Sequence, residues 1–404
     1  MSGRWGAILA LVVGAGCLEP LPIGSGEYVC GTGCAWGFVC DGSGETPVCV
    51  VLEDEPQCIA ECELDTLACR DGEKVICRRD ASDCPRLELT QAGCGVETLC
   101  ITDGRCNQGL FWSTSLDTID GELHDVWVET EETAYLAGDR LYRFSEGQLG
   151  VIKDAGRTYR AIAGERATPP LVFAVGDAGL VTYGVCPGCP TRTVGAQDLL
   201  GAAFEPGNLG RAWAVGKGGA VAVCDGAGCQ AIGDLPLVEP LPALRAVTIT
   251  DDGTVYIAGD RTLLQRLRGN WRDLSTKVLE FEVYAVSATM LPTGLVLAGA
   301  SNRLKLFDGA ELITLGTPSG LGGSYLGVFA SSPVDVWFVG QGAGGTEALT
   351  AHYDGEALVG RKTGLLGATF TAVHGTSRAN VWRVGNDREQ RGFIQRTRLG
   401  ETSR

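Results

Sequence analysis

Trp213-Ala-Val-Gly216, Trp337-Phe-Val-Gly340 and Trp382-Arg-Val-Gly385 are three copies of one short phrase: an aromatic residue, two residues of mostly apolar character, then glycine. Weaker copies stand at Tyr135-Leu-Ala-Gly138, Phe173-Ala-Val-Gly176 and Tyr256-Ile-Ala-Gly259, and the most degenerate is Val296-Leu-Ala-Gly299. Successive glycines are separated by 38, 40, 43, 40, 41 and 45 residues. That spacing is the one expected of propeller blades of four strands each. The period therefore predicts an all-β fold, a seven-bladed β-propeller over residues 110–404.

Ahead of the phrase, each repeat begins with an apolar segment such as Leu244–Thr250, Tyr325–Ala330 or Phe370–Val373. A turn follows, as at Asp251-Asp252-Gly253 or Ser331-Ser332-Pro333, and then the aromatic-to-glycine strand. A third strand ends in pairs such as Asp308-Gly309 and Asp354-Gly355, strong hairpin signals because type I′ turns need two residues at positive φ. A variable fourth strand completes each unit. The last repeat runs out after Gly392–Leu399, its third strand. Leu110-Phe-Trp-Ser-Thr114 is expected to supply the missing fourth and close the ring, which removes an exposed sheet edge. The chain would then come in from the face that carries the third-to-fourth-strand hairpins.

Seventeen cysteines divide unevenly: Cys17, twelve between Cys30 and Cys106, and four inside the repeats. Even numbers in each block after Cys17 imply pairing in an oxidising compartment. Zinc would want histidines beside repeated C-x2-C pairs, and the chain has only His124, His352 and His374, scattered. Cys186-Pro-Gly-Cys189 and Cys224-Asp-Gly-Ala-Gly-Cys229 both bracket the hairpin between third and fourth strands. They read as structural disulfides, Cys186 with Cys189 and Cys224 with Cys229, because residues flanking a tight turn come within disulfide reach. No helix pattern follows Cys189, so a redox role is disfavoured.

The net charge is −16, and residues 18–106 carry 17 acidic against 6 basic side chains. Phosphate would be repelled, which argues against nucleic acid as a partner. Residues 1–16 read as an export signal, with Arg4 ahead of an apolar run too short to span a bilayer. Residues 17–29 form a Pro/Gly linker, and residues 30–106 form disulfide-rich modules with too few apolar residues for a core of their own.

Gly14-Ala15-Gly16 leading into Cys17 resembles a bacterial lipoprotein signal, with glycine where leucine is usual. The resemblance implies that Cys17 is lipidated and anchors the chain to a membrane. Leu18, where a retention aspartate would stand, points by the same resemblance to the outer membrane. The phrase Ala68-Cys69-Arg70-Asp71-Gly72-Glu73-Lys74-Val75-Ile76-Cys77 is similar to the cysteine-rich repeats of bacterial surface lipoproteins. Residues 110–404 resemble Trp-x-Val-Gly propellers of the sialidase-like and photosystem-assembly-factor kinds, a likeness that speaks for fold more than activity.

No catalytic constellation can be assembled: no G-x-S-x-G phrase is present, and no intact Asp-box. The positions just after the motif glycines include Asp139, Asp177, Asp260 and Asp387. By fold analogy these loops open on one face around the central channel, so the four carboxylates are the candidate ligand-binding residues, an acidic rim for a cation or basic peptide. Gly-Asp is also ordinary turn chemistry. No cofactor and no metal site is implied. The expectation is a lipid-anchored envelope binding or scaffold protein, not an enzyme, that recognises a protein or glycan. A glycan-cleaving propeller enzyme and a membrane-complex assembly factor are the alternatives.

Overall fold

The computed structural model describes residues 110–399 apart from 209, 279–281, 289–294, 301–302, 309–310, 317–320 and 333, and before them only Asp65 and short strands between Tyr28 and Gln108. The export signal and Cys17 lie outside the described residues. Two compact units divide the chain, 1–61 with 79–85 and 62–78 with 86–404. Within the first, Val48–Val51 pairs with both Tyr28–Val29 and Phe38–Asp41. Within the second, Leu67–Arg70 pairs antiparallel with residues 73–76, and a hairpin joins Thr98–Thr102 to Arg105–Gln108. Cys77 there is buried and disulfide-bonded. Among the described residues no helix is long and apolar enough to cross a membrane.

Seven four-stranded antiparallel sheets follow, each in simple up-and-down order, and they are the blades of a propeller. Their innermost strands are Leu123–Val128, Tyr159–Glu165, Leu199–Phe204, Leu244–Ile249, Val283–Ala288, Gly323–Ser332 and Thr369–Ser377, blades 1 to 7 in order. The aromatic-to-glycine phrase is the second strand of every blade. Blade 7 takes its fourth strand from Leu110–Ile119, which pairs with Gly392–Leu399 in the register Leu110↔Leu399 and Thr114↔Gln395. The ring closes as the unpaired third strand requires, with five residues more than the sequence suggested. Leu110 lies beside the end of the third strand, so the chain comes in on the hairpin face.

Seven hydrophobic clusters fill the seven gaps between neighbouring blades. The two-residue strand period explains the motif. Trp213 and Val215 face blade 4, while Ala212 and Ala214 face blade 2. A large side chain on one face and a small one on the other lets wedge-shaped sheets stack. Trp382 likewise packs against blade 1, edge-on to Phe144 at 5.2 Å. Its indole N–H donates to Asn380 Oδ1 at 2.8 Å. Asn386 seals the same seam, since its side-chain amide exchanges two hydrogen bonds with the Leu123 backbone, 2.8 and 2.9 Å.

The motif glycines are required by closeness. An added Cβ would stand 2.0–2.2 Å from a carbonyl oxygen just before or at the start of the inner strand at Gly138, Gly176, Gly216, Gly259, Gly340 and Gly385. In blades 1 to 5 that same carbonyl accepts the N–H of the residue after the glycine, as in Asp177 N to Thr158 O at 3.0 Å.

Both hairpin disulfides are formed, with Cα separations of 4.8 Å for Cys186–Cys189 and 4.0 Å for Cys224–Cys229. Cys224 and Cys229 face each other at the end of a third strand and the start of a fourth, while Cys186 and Cys189 lie within the hairpin loop between Leu180–Gly184 and Thr191–Thr193.

Candidate functional site

The inner strands enclose a central channel of about 660 Å³, lined by all seven blades. In every blade the pairing of first and second strands slips by one residue near the start of the inner strand. The unpaired residues are His124, Arg160, Leu200, Arg245, Tyr284, Leu326 and Thr371, and all seven line the channel. A bulge re-aims its side chain and bends its strand. Repeated seven times, it makes a ring of variable side chains at one mouth of an otherwise regular wheel. Each bulged residue stands 14–16 positions before its motif glycine. That offset is the signal sequence reading missed, because a one-residue slip leaves no mark in a hydrophobic pattern.

The predicted acids lie just beyond this ring, and the structure does not gather them into one cluster. Asp177 is held in a fork by Arg160, with Nε at 2.8 Å and Nη2 at 3.2 Å. Asp260 accepts from Arg245 Nε at 2.7 Å. Asp387 takes Arg391 Nε and two backbone N–H groups, each at 2.9 Å. Asp139 accepts from the Glu122 N–H at 3.3 Å. Three of the four acids are thus ion-paired, two of them with bulged arginines of the same blade, and Asp139 is held by backbone. Among the described residues no three metal-ligating side chains stand together.

The pairing continues sideways. Arg160 Nη1 reaches His124 Nε2 at 3.2 Å. Desolvation, aided by Arg160, lowers the His124 pKa to about 4, so the ring is neutral and accepts that bond. Arg245 lies over the Tyr284 ring at 5.2 Å, and the Tyr284 hydroxyl donates to Glu282 at 2.9 Å. Between these groups Asp198 accepts from Lys217 at 2.7 Å and from the Ala178 N–H at 2.9 Å. The Lys217 contact, with that N–H, holds its carboxyl below the usual range.

Deeper in the channel are two titratable groups that sequence reading did not place. Asp125 accepts from Val126 N at 2.8 Å and from Ile162 N at 2.9 Å, which ties blade 1 to blade 2. Desolvation outweighs both bonds and raises its pKa to about 7. With both oxygens engaged by backbone, it reads as an interblade tie. His374 accepts from the Val128 N–H through Nδ1 at 3.1 Å, and desolvation lowers its pKa to about 3. The third histidine, His352, lies between blades, bonded to Asp335 at 2.6 Å.

No protein-family model matches the chain, and no curated protein does. Solved structures do. The RRP9 WD40 repeats overlay with a TM-score of 0.56 at 12% identity, covering 72% of this chain and 97% of that one. YCF48 bound to D1 peptide gives 0.52 at 14%, covering 72% and 98%. YCF48 from Cyanidioschyzon merolae gives 0.50 at 12%, covering 71% and 98%. At such identities the likeness shows the propeller fold alone.

Proposed function

We propose that this chain is a non-enzymatic recognition protein of the bacterial cell envelope, tethered through a lipid on Cys17, whose propeller binds a protein segment at the channel mouth. The observation that carries the reading is the ring of seven bulged residues. Bulges cost regular pairing, and here they recur at one position in every blade while the side chain changes from blade to blade. Asp139, Asp177, Asp260 and Asp387 belong to this mouth as hydrogen-bonding partners, already charge-balanced in three of the four cases. A pre-paired rim suits a mixed-polarity polypeptide better than a bare cation. One solved propeller of similar shape is YCF48 with a D1 peptide bound, which supports peptide recognition and the assembly-factor variant of this reading.

Site-specific photo-cross-linking in the native organism tests it. A cross-linker at Arg160 or Leu326 should capture one defined envelope partner, and one at Glu356, on a third-to-fourth-strand hairpin, should not. Capture from both faces alike, or from neither, sinks the proposal. Mass spectrometry of the mature N-terminus tests the anchor: a free, unmodified Cys17 overturns it.

A further inference from the structure

The third-to-fourth-strand hairpin of blade 4 reads Arg266-Leu-Arg-Gly-Asn-Trp-Arg272, three cations and no acid in a chain of net charge −16. It joins Thr262–Leu267 to Asn270–Asp273, and Arg268 and Gly269 form its tip with φ of 49° and 86°. The matching turns of blades 1, 3, 5 and 6 carry an acid instead: Glu146, Asp225, Asp308 and Asp354.

Strand alternation spreads the charge around the hairpin. Arg266 stands across from Val255 and Trp271 and so faces blade 3. Its guanidinium lies 5.3 Å from the ring centre of Trp213 and 6.0 Å from that of Trp271. Arg272 stands across from Gln265, which stands across from Tyr256, so it faces blade 5. Arg268 and Arg272 are exposed, and Leu267 beside the tip is 46% exposed. Among the described residues no carboxylate pairs with any of the three arginines.

We infer that this hairpin rests on an anionic lipid leaflet, its arginines among the phosphate headgroups and Leu267 at their boundary with the acyl chains. Arginines that point to two sides and a tip do not converge on one small anion. They match a plane of anions, which attracts each cation near it. Leucine set among arginines and a tryptophan is a mixture suited to a bilayer interface. The rest of so acidic a chain is repelled by such a leaflet, so the acid-free tip sets which part approaches. The chain also enters the propeller on this face, at Leu110. For that orientation the inference rests on the tether proposed above; the contact itself does not need it.

The test is flotation of the full mature chain, from residue 17 onward, with Cys17→Ser so that no lipid anchors it. It should float with vesicles of phosphatidylcholine and phosphatidylglycerol in equal parts at low ionic strength, and not with pure phosphatidylcholine. Binding should be lost in about 1 M salt, where screening reaches about 3 Å. Each arginine at an anionic surface is worth about fivefold in partitioning, so Arg268→Ala/Arg272→Ala should bind about 30-fold more weakly at an unchanged melting temperature. Arg261→Ala/Arg388→Ala removes equal charge from second-to-third-strand loops on the opposite face and should bind as the wild type does. Failure to float with the mixed vesicles overturns the inference, as do equal flotation with pure phosphatidylcholine, undiminished binding in the hairpin variant, and equal loss in both variants. Displacement by inorganic phosphate beyond that by sodium chloride of equal ionic strength also overturns it, since that marks a single-anion site. The assayed chain carries no lipid, so an unmodified Cys17 in the native protein would count against the tether alone.

Discussion

Replacing Gly216 by alanine separates two explanations of the repeating glycine. Gly216 has φ −165° and ψ −165°, extended backbone open to any residue. If conformational freedom were all that mattered, alanine there would stabilise by about 0.4–1 kcal/mol through the unfolded chain. The packing says the opposite. An alanine Cβ would stand 2.1 Å from the Asp198 carbonyl oxygen and 2.9 Å from Leu199 Cα. Carbon and oxygen in contact prefer about 3.3–3.6 Å, so the strands must part by about 1 Å. That oxygen also accepts the Lys217 N–H at 2.9 Å, a bond the shift would stretch or break. Overpacking costs about 1–3 kcal/mol and a lost hydrogen bond about 1 kcal/mol, so the expected loss is about 2–4 kcal/mol. Urea denaturation of Gly216→Ala should show a lower midpoint with an unchanged slope. Gly150→Ala is the control, since its Cβ would meet nothing within 4 Å and it should be neutral or slightly stabilising. A Gly216→Ala variant as stable as the wild type would refute the close-approach account of the motif.

Four further outcomes are expected. Trp382→Ala, which empties the seam between blades 7 and 1, should cost about 3–5 kcal/mol in the same denaturation assay. Removing the Cys224–Cys229 disulfide by double serine substitution should cost about 2 kcal/mol and leave the propeller's circular dichroism intact, because a short loop is closed. Asp125 is raised in the fold to about 7, so the folded chain holds a proton that the unfolded chain releases. Its contribution is full below the ordinary value of 3.8 and is lost as pH rises through about 7, so Asp125→Asn should gain on the wild type above neutrality in pH-dependent melts. His124 and His374 are depressed to about 4 and about 3, so their contribution is present above 6.5 and lost as pH falls through those values. Their imidazole NMR signals should therefore stay unmoved between about pH 5 and pH 8.

Much of the propeller was legible because its information is local and repeated. The Trp-x-Val-Gly phrase carries the strand period, the glycine marks a backbone contact, and Asp-Gly or paired cysteines mark the hairpins. Even the closing strand could be placed, since Gly392–Leu399 would otherwise have been left with an open edge. The candidate site was legible only in part. Asp139, Asp177, Asp260 and Asp387 stand where counting from the glycine puts them, but what pairs with them was not legible. The partners of Asp177 and Asp260, Arg160 and Arg245, lie 17 and 15 residues earlier in the chain, on another strand.

Taken alone, then, the sequence determined the number of blades, the strand carrying the motif, the closure and the two hairpin disulfides. Each follows from a period or a short spacing that the backbone must obey. Only the tertiary structure decided that Asp177 and Asp260 are paired, since a one-residue bulge turns Arg160 and Arg245 toward those carboxylates. It alone also brought Trp112 against Trp337, by ring closure across more than half of the chain.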